Sequence, residues 1–336
     1  MQAIMYTEYG PPEVLKLNEV EKPVPKDNEI LIKVHATTVN FGDLLARNMR
    51  VVTPRKFTMP MPLWLPVRLA FGFRKPRKKI LGNEYAGEIV DVGKQVTRFK
   101  TGDQVFGYRG QAMGAYAEYL TMPEGGMVAH KPVNMSYEEA AVISYGSITA
   151  LSLLRKANIQ AGQRILVNGA SGSIGSHAVQ IAKNHGAHVT GVCGTPRLAF
   201  VSSLGADEVI DYTQEDFTKN GQTYDLIFDV LNKSSFTSVK DSLTPNGRYL
   251  LASFGMRQLF QMVRTKVVGR KKVICALSSE RPEDLVLVKQ MAEEGKLKTV
   301  IDRQFPLRLT AEAHRYVEEG HKRGQVVINC VRNDNK

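Results

Sequence analysis

The chain has 336 residues, of which 43% are apolar and 23% charged, and a net charge of +12. This is the composition of an ordinary soluble globular protein, with room for two domains or one large one. No apolar run is long enough for a membrane-spanning helix, the N-terminal MQAIMYTEYG lacks a signal-peptide pattern, and three scattered cysteines exclude a disulfide framework. A reducing compartment, the cytoplasm, is expected. The positive excess favours anionic partners: a phosphorylated cofactor, nucleic acid or an acidic membrane surface. Part of it is clustered, in RKPRKK (74–79) and RTKVVGRKK (264–272). Without interleaved aromatics, both clusters are expected to be solvated surface loops.

In chain order, NEILIKVHATTVN (28–40) alternates, with Ile30, Ile32 and Val34 on one face, and predicts a strand. Further short strands are expected over 84–93, 103–110 and 114–123, each broken by or next to glycine. Together they predict a compact β-rich unit, a barrel or sandwich, in the first ~125 residues. The segment 49–79 interrupts it with five prolines and nine basic residues. Pro60, Pro62 and Pro66 exclude a regular helix there; an apolar loop with basic ends is expected, as a lid or rim over a pocket first, with a dimer contact or a membrane-surface patch as alternatives. Past about residue 130 the rhythm changes to strands alternating with helices, which predicts βαβ units and a parallel sheet. The strand-like runs are 164–168, 188–193, 207–212, 224–230, 248–255 and 271–277. Two amphipathic helices and a final strand, QVVINCV, follow.

Between the first strand and helix of this series stands VNGASGSIG (167–175). That context is the one a dinucleotide fold requires. Ala170, Ser171, Gly172, Ser173, Ile174 and Gly175 form the candidate pyrophosphate cradle. Gly172 would admit the phosphates, Gly175 would let helix and strand pack, and the backbone N–H groups at the helix start would hold the charge. An NAD site usually carries Asp or Glu about 20 residues on. From Ala187 to Ala206 there is no carboxylate; Cys193 stands in that place, followed by Thr195 and Arg197, both able to donate to a 2′-phosphate. NADP(H) is therefore the expected cofactor, with Tyr212 near the adenine.

At this point the chain resembles the zinc-independent, zeta-crystallin-like quinone oxidoreductase branch of the medium-chain dehydrogenase/reductase superfamily. The resemblance rests on YGPPEVLKL, VNFGDLLARN, LGNEYAGEIVDVGKQVTRFKTGDQVFG, NGASGSIGSHAVQIAK, SLGADEVIDY and AHRYVEEGHKRGQVVI. It implies an α/β protein with a Rossmann doubly wound parallel sheet domain (129–278) and a β-rich GroES-like catalytic domain (1–128 and 279–336). It also implies a homodimer, often joined through the edge strand, here KKVICAL.

The zinc-binding relatives use Cys and His where this chain has Asn40 and Asn83, with only Glu84 kept, and their four-cysteine structural lobe is missing. No metal is expected. Without a Lewis acid, a conjugated acceptor is the easier substrate, so the expected reaction is NADPH-dependent reduction of a hydrophobic quinone or α,β-unsaturated carbonyl. By motif position, Asn40 is the candidate donor to the substrate oxygen, Tyr145 a candidate proton donor, and Thr149 a contact at the nicotinamide end. Asp43 is expected to fix the helix after Asn40. Two other readings stay open: a zinc-free NADP-dependent alcohol or carbonyl dehydrogenase, and an NADPH-bound, non-catalytic protein whose basic surface meets RNA or an acidic membrane. Gln325 follows Gly324 where the family often has Lys, and Phe41 replaces a proline.

Overall fold

The computed structural model describes residues 1–54, 57, 59–320 and 322–331. Arg55, Lys56 and Thr58 of the proline-rich segment, and the last five residues, lie outside the described residues.

The β-rich part begins with a two-stranded ribbon, β1 (Gln2–Met5) and β2 (Lys16–Glu19). Its main sheet is built on β3 (Glu29–Val39), whose Ile30, Ile32, Val34 and Ala36 are fully buried. Next come α1 (Phe41–Arg47) and α2 (Trp64–Phe71). Then follow β4 (Glu84–Val92), β5 (Gln104–Tyr108), β6 (Tyr119–Pro123) and β7 (Val128–His130). Helix α2 differs from the sequence expectation. Pro66 falls in its first turn, where a backbone N–H has no intrahelical partner, so the proline costs the helix nothing there. The segment is tied down by Tyr9, whose hydroxyl donates to Phe71 O at 2.7 Å, and by Arg68, which donates to Met49 O at 2.8 Å.

Helix α3 (Tyr137–Lys156) opens on a capping box between Ser136 and Glu139. It packs against β3, β4 and β5 on one side and α4 on the other, so it joins the two halves of the molecule. The second half comprises β8 (Arg164–Asn168), α4 (Ser173–Asn184), β9 (His188–Cys193), α5 (Leu198–Ser203), β10 (Glu208–Asp211) and β11 (Tyr224–Asp229). It continues with α6 (Phe236–Val239), β12 (Leu243–Leu251), α7 (Met256–Val267) and β13 (Lys272–Cys275). These six strands form one parallel sheet in the order β10-β9-β8-β11-β12-β13. That is the doubly wound order, and its switch point lies between β8 and β11, beside the glycine loop. Helix α7 was not expected: the basic run starting at Arg264 begins inside it.

After α8 (Pro282–Glu293) the chain crosses back. Strand β14 (Ile301–Pro306), helix α9 (Thr310–Glu318) and strand β15 (Gln325–Asn329) complete the first sheet, with β15 antiparallel to β3. The order there is β14-β15-β3-β4-β5-β7, with β6 also on β3.

Candidate active site

The chain turns sharply after β8. Gly169 adopts φ +91°, and Gly172 caps α4 without a side chain. A Cβ on Gly175 would overlap the Gly169 carbonyl oxygen, so only glycine lets α4 start this close to the strand. A Cβ on Gly172 would meet nothing nearer than that oxygen, at 3.5 Å. The loop is therefore tight where it packs on itself and open at Gly172, with the free N–H groups of α4 behind the opening. Residues 170–175 fit a pyrophosphate on this geometry.

At the end of β9, Gly194, Thr195, Arg197, Tyr212, Gly320 and Arg323 line a cavity of about 290 Å³. The polar side chains are arranged differently from the expectation. The Thr195 hydroxyl donates to Asp211, on the neighbouring strand, which Thr213 also binds through its backbone N–H at 3.0 Å. These donors, the Thr195 hydroxyl foremost, hold the Asp211 carboxyl below its usual range. Arg197 spends its guanidinium on the carbonyls of Lys322 (3.0 Å) and Gly320. Cys193 is buried, which pushes its thiol up to about 11, and offers only its carbonyl, to Tyr212 N. Arg323 is exposed and makes no ion pair among the described residues, so it is the uncommitted cation of the cavity. Sequence reasoning missed Arg323 and Asp211. Asp211 stands beyond the Ala187–Ala206 stretch in which an NAD-type acid is expected, and Arg323 comes from the far end of the chain, in HKRGQ.

The third cluster lies where α1, β4 and α3 meet. Asn40 caps α1: its Oδ1 accepts from Gly42 N at 2.9 Å, and Asp43 returns a bond from Asn40 N at 3.0 Å. The Asn40 amide donates to Asn83 Oδ1 at 2.6 Å and to Glu84 at 3.4 Å. The Asn40 amide N–H groups, expected to face a substrate, are thus already engaged. Glu84 is buried and accepts from Thr38, Ser144 Oγ (3.2 Å) and Tyr145 N (2.9 Å). Burial raises its pKa, against these four donors. Glu84 therefore ties the first sheet to α3. The Tyr145 ring packs on that of Tyr108 at 5.1 Å. Burial raises the Tyr145 phenol, Glu84 adds to it, and Thr149 partly offsets it. Thr149 lies one turn further along α3, and is buried. Lys322 approaches from the C-terminal side: it donates to Gln325 Oε1 at 3.4 Å, and burial lowers its pKa while the charge of Glu84 opposes that. Gln325, in the place of the family lysine, thus holds a lysine supplied from three residues earlier.

Beneath this floor runs a buried polar chain. Asp43 accepts from Asn40 N and, at 3.1 Å, from Gly82 N. Tyr116 Oη lies 3.0 Å from His314 Nε2, and Arg47 Nη1 lies 3.0 Å from His314 Nδ1. An arginine only donates, so Nδ1 accepts and Nε2 carries the proton. The Tyr116 hydroxyl is then left to donate, with Thr38 O at 3.3 Å and the Asp43 carboxylate as its two acceptors. Burial holds His314 well below its usual pKa, with Arg47 adding to it, so the ring stays neutral.

The family model for the alcohol dehydrogenase GroES-like domain matches residues 26–133, and that for a zinc-binding dehydrogenase matches 204–328. A chloroplastic quinone-oxidoreductase homolog of Spinacia oleracea is 33% identical over 98% of this chain and 98% of its own. The chain belongs to the quinone oxidoreductase branch of the medium-chain dehydrogenase/reductase superfamily. This oxidoreductase is NAD(P)H-dependent, as is a mitochondrial NAD(P)H oxidoreductase of Danio rerio, 33% identical over 98% of this chain and 92% of the relative. The solved structure of a quinone oxidoreductase from Coxiella burnetii superposes with a TM-score of 0.83, at 28% identity, covering 99% of both chains. Among the described residues of this oxidoreductase, no three His, Cys, Asp or Glu side chains come together to hold a metal ion, and no helix is long and apolar enough to cross a membrane.

Proposed function

We propose that the chain reduces hydrophobic quinones or α,β-unsaturated carbonyl compounds with NADPH, without a metal. The observation that carries this reading is the Asn40–Asn83 hydrogen bond of 2.6 Å. Two neutral amides satisfy one another where zinc relatives supply thiolate and imidazole, and Glu84 is spent on Thr38, Ser144 and Tyr145. That donor set does not fit zinc. A ketone or alcohol oxygen would meet no Lewis acid here, whereas a conjugated acceptor spreads its developing charge onto a distant oxygen that hydrogen bonds can hold.

A bound reduced nicotinamide supplies the hydride equivalent for such an acceptor. The chain's own residues bind, orient and protonate. Gly172 and the N-terminus of α4 take the pyrophosphate. Thr149, one helical turn from Tyr145, would hold the nicotinamide end. Tyr145, kept protonated by burial, donates to the acceptor oxygen, and Lys322 supplies a positive charge within the field of Glu84. Arg323 and Tyr212 hold the 2′-phosphate end, with Arg197 fixing the C-terminal loop behind them. The homodimer contact falls on the outer edge of β13, which pairs with β12 on one side only.

The test is NADPH oxidation by a panel of quinones, enones, ketones and alcohols, with and without a chelator. Turnover of quinones or enones that survives chelation is expected; activity restricted to alcohols, or abolished by chelation, would overturn the reading. Arg323→Ala should raise the KM for NADPH about tenfold and leave that for NADH unchanged, because one charge-assisted contact to the 2′-phosphate is lost.

A further inference from the structure

Helix α7 carries a face that nothing among the described residues covers. Its inner side packs on β13, with Thr265 buried and its hydroxyl accepting from Val273 N at 3.0 Å. Its outer side is apolar: Met256 is 53% exposed, Phe260 71%, Val263 59% and Val267 85%. At the helical period these four fall within about 60° of one another, a single stripe on a helix about 18 Å long. Arg257 and Arg264 flank the stripe on one side and Lys266 on the other, all three exposed. Arg270 stands exposed just past the helix end. From Met256 to Ser279 the sequence has six Lys or Arg and no Asp or Glu. None of these four exposed cations has an ion-pair partner among the described residues.

We propose that α7 rests on an anionic lipid surface, its apolar stripe sunk to the acyl boundary and its flanking cations on the headgroup phosphates. A stripe of large apolar side chains between two rows of basic ones is the pattern of a helix lying in a membrane interface, where long cationic side chains bury their stems and reach outward. The charge selects the occupant. A second copy seated on this stripe through a two-fold contact would set the same unpaired cations against themselves, which opposes association. A single-stranded nucleic acid would need stacking aromatics along its track, and the face offers only Phe260. An acidic bilayer satisfies both the stripe and its flanks. Attachment by one short helix is peripheral and reversible, in keeping with the absence of a membrane-crossing helix among the described residues.

The experiment is flotation of the full chain with vesicles of phosphatidylcholine alone or mixed with phosphatidylglycerol, at low and high salt. Binding is expected with the mixed vesicles only, weakening as salt rises. Arg257→Gln, Arg264→Gln and Lys266→Gln together should lower the partition coefficient about a hundredfold, and Phe260→Asp with Val267→Asp should abolish flotation. All five positions are exposed, so melting temperature and NADPH-dependent turnover in vesicle-free buffer should match the parent protein. Equal flotation with neutral vesicles, or unchanged flotation of both variants, would overturn the proposal. So would variants that float normally but change the oligomeric state, which would assign the stripe to self-association.

Discussion

Gly172→Ala is expected to leave the protein folded while weakening its hold on NADPH roughly a hundredfold. The backbone there, at φ −78°, suits alanine, and the added Cβ would meet only Gly169 O, at 3.5 Å. The substitution trades a glycine cap for a poorer one, about 1 kcal/mol, which lowers the melting temperature by only about 1.5 °C in a chain of this size. What the methyl group does occupy is the space above the α4 N-terminus. Gly175→Ala is the contrast. Its Cβ would overlap the Gly169 carbonyl and lie 2.9 Å from Ala170 Cα, so α4 must retreat from the strand. Both stability and nucleotide affinity should then fall, stability by about 1–3 kcal/mol. Fluorescence titration with NADPH, beside a thermal melt, separates the two cases. An unchanged affinity in Gly172→Ala would remove the phosphates from this loop.

The second large effect concerns Asp43. Its carboxyl is wholly buried, which pushes its pKa from 3.8 to about 7 against two backbone N–H groups and the Tyr116 hydroxyl, all of which favour the charged form. A carboxyl raised on folding makes the folded state hold a proton that the unfolded chain has lost. It therefore costs stability progressively as pH rises from about 4 to about 7, and nothing more beyond that. Three pH units at about 1.4 kcal/mol each bring the total to about 4 kcal/mol. His314, held neutral by burial, acts in the opposite sense, losing stability as pH falls below its ordinary value. Glu84 and His177 also titrate, raised and lowered respectively. The clean readout is consequently a difference. Asp43→Asn should gain on the parent protein steadily between pH 4 and 7 in urea unfolding, by up to about 4 kcal/mol, although the amide gives up one of the two N–H acceptors. A difference that does not vary with pH would show that Asp43 is ionised throughout.

Much of this was legible in the chain. The alternation of 28–40 and the βαβ rhythm after residue 130 gave both sheets, because half-buried strands and crossover helices leave strong periodic patterns. The glycine loop was readable because its spacing encodes a backbone need. The misses share a cause as well. Pro66 was read as a helix breaker, but a proline in a first turn breaks nothing. Helix α7 escaped because its apolar residues face outward, so its pattern does not report a core. The side chains around the cofactor end could not be apportioned, since Thr195 pairs with a neighbouring strand and Arg197 with carbonyls more than a hundred residues away. Asn40 shows the same limit: a strand-end asparagine reads equally as cap or donor, and its partner Asn83 is 43 positions on.

The open edge of β13 has a geometric corollary. Two copies joined there antiparallel would be related by an axis standing perpendicular to the sheet, which leaves each face of the joined sheet on its own side. Both α7 helices would then project from one side of the pair, like two feet. Once the first touched down, the second would meet the bilayer at high effective concentration, and avidity would multiply two weak attachments into a firm one. Membrane loading would then climb more steeply than linearly with protein concentration around the dimer dissociation constant.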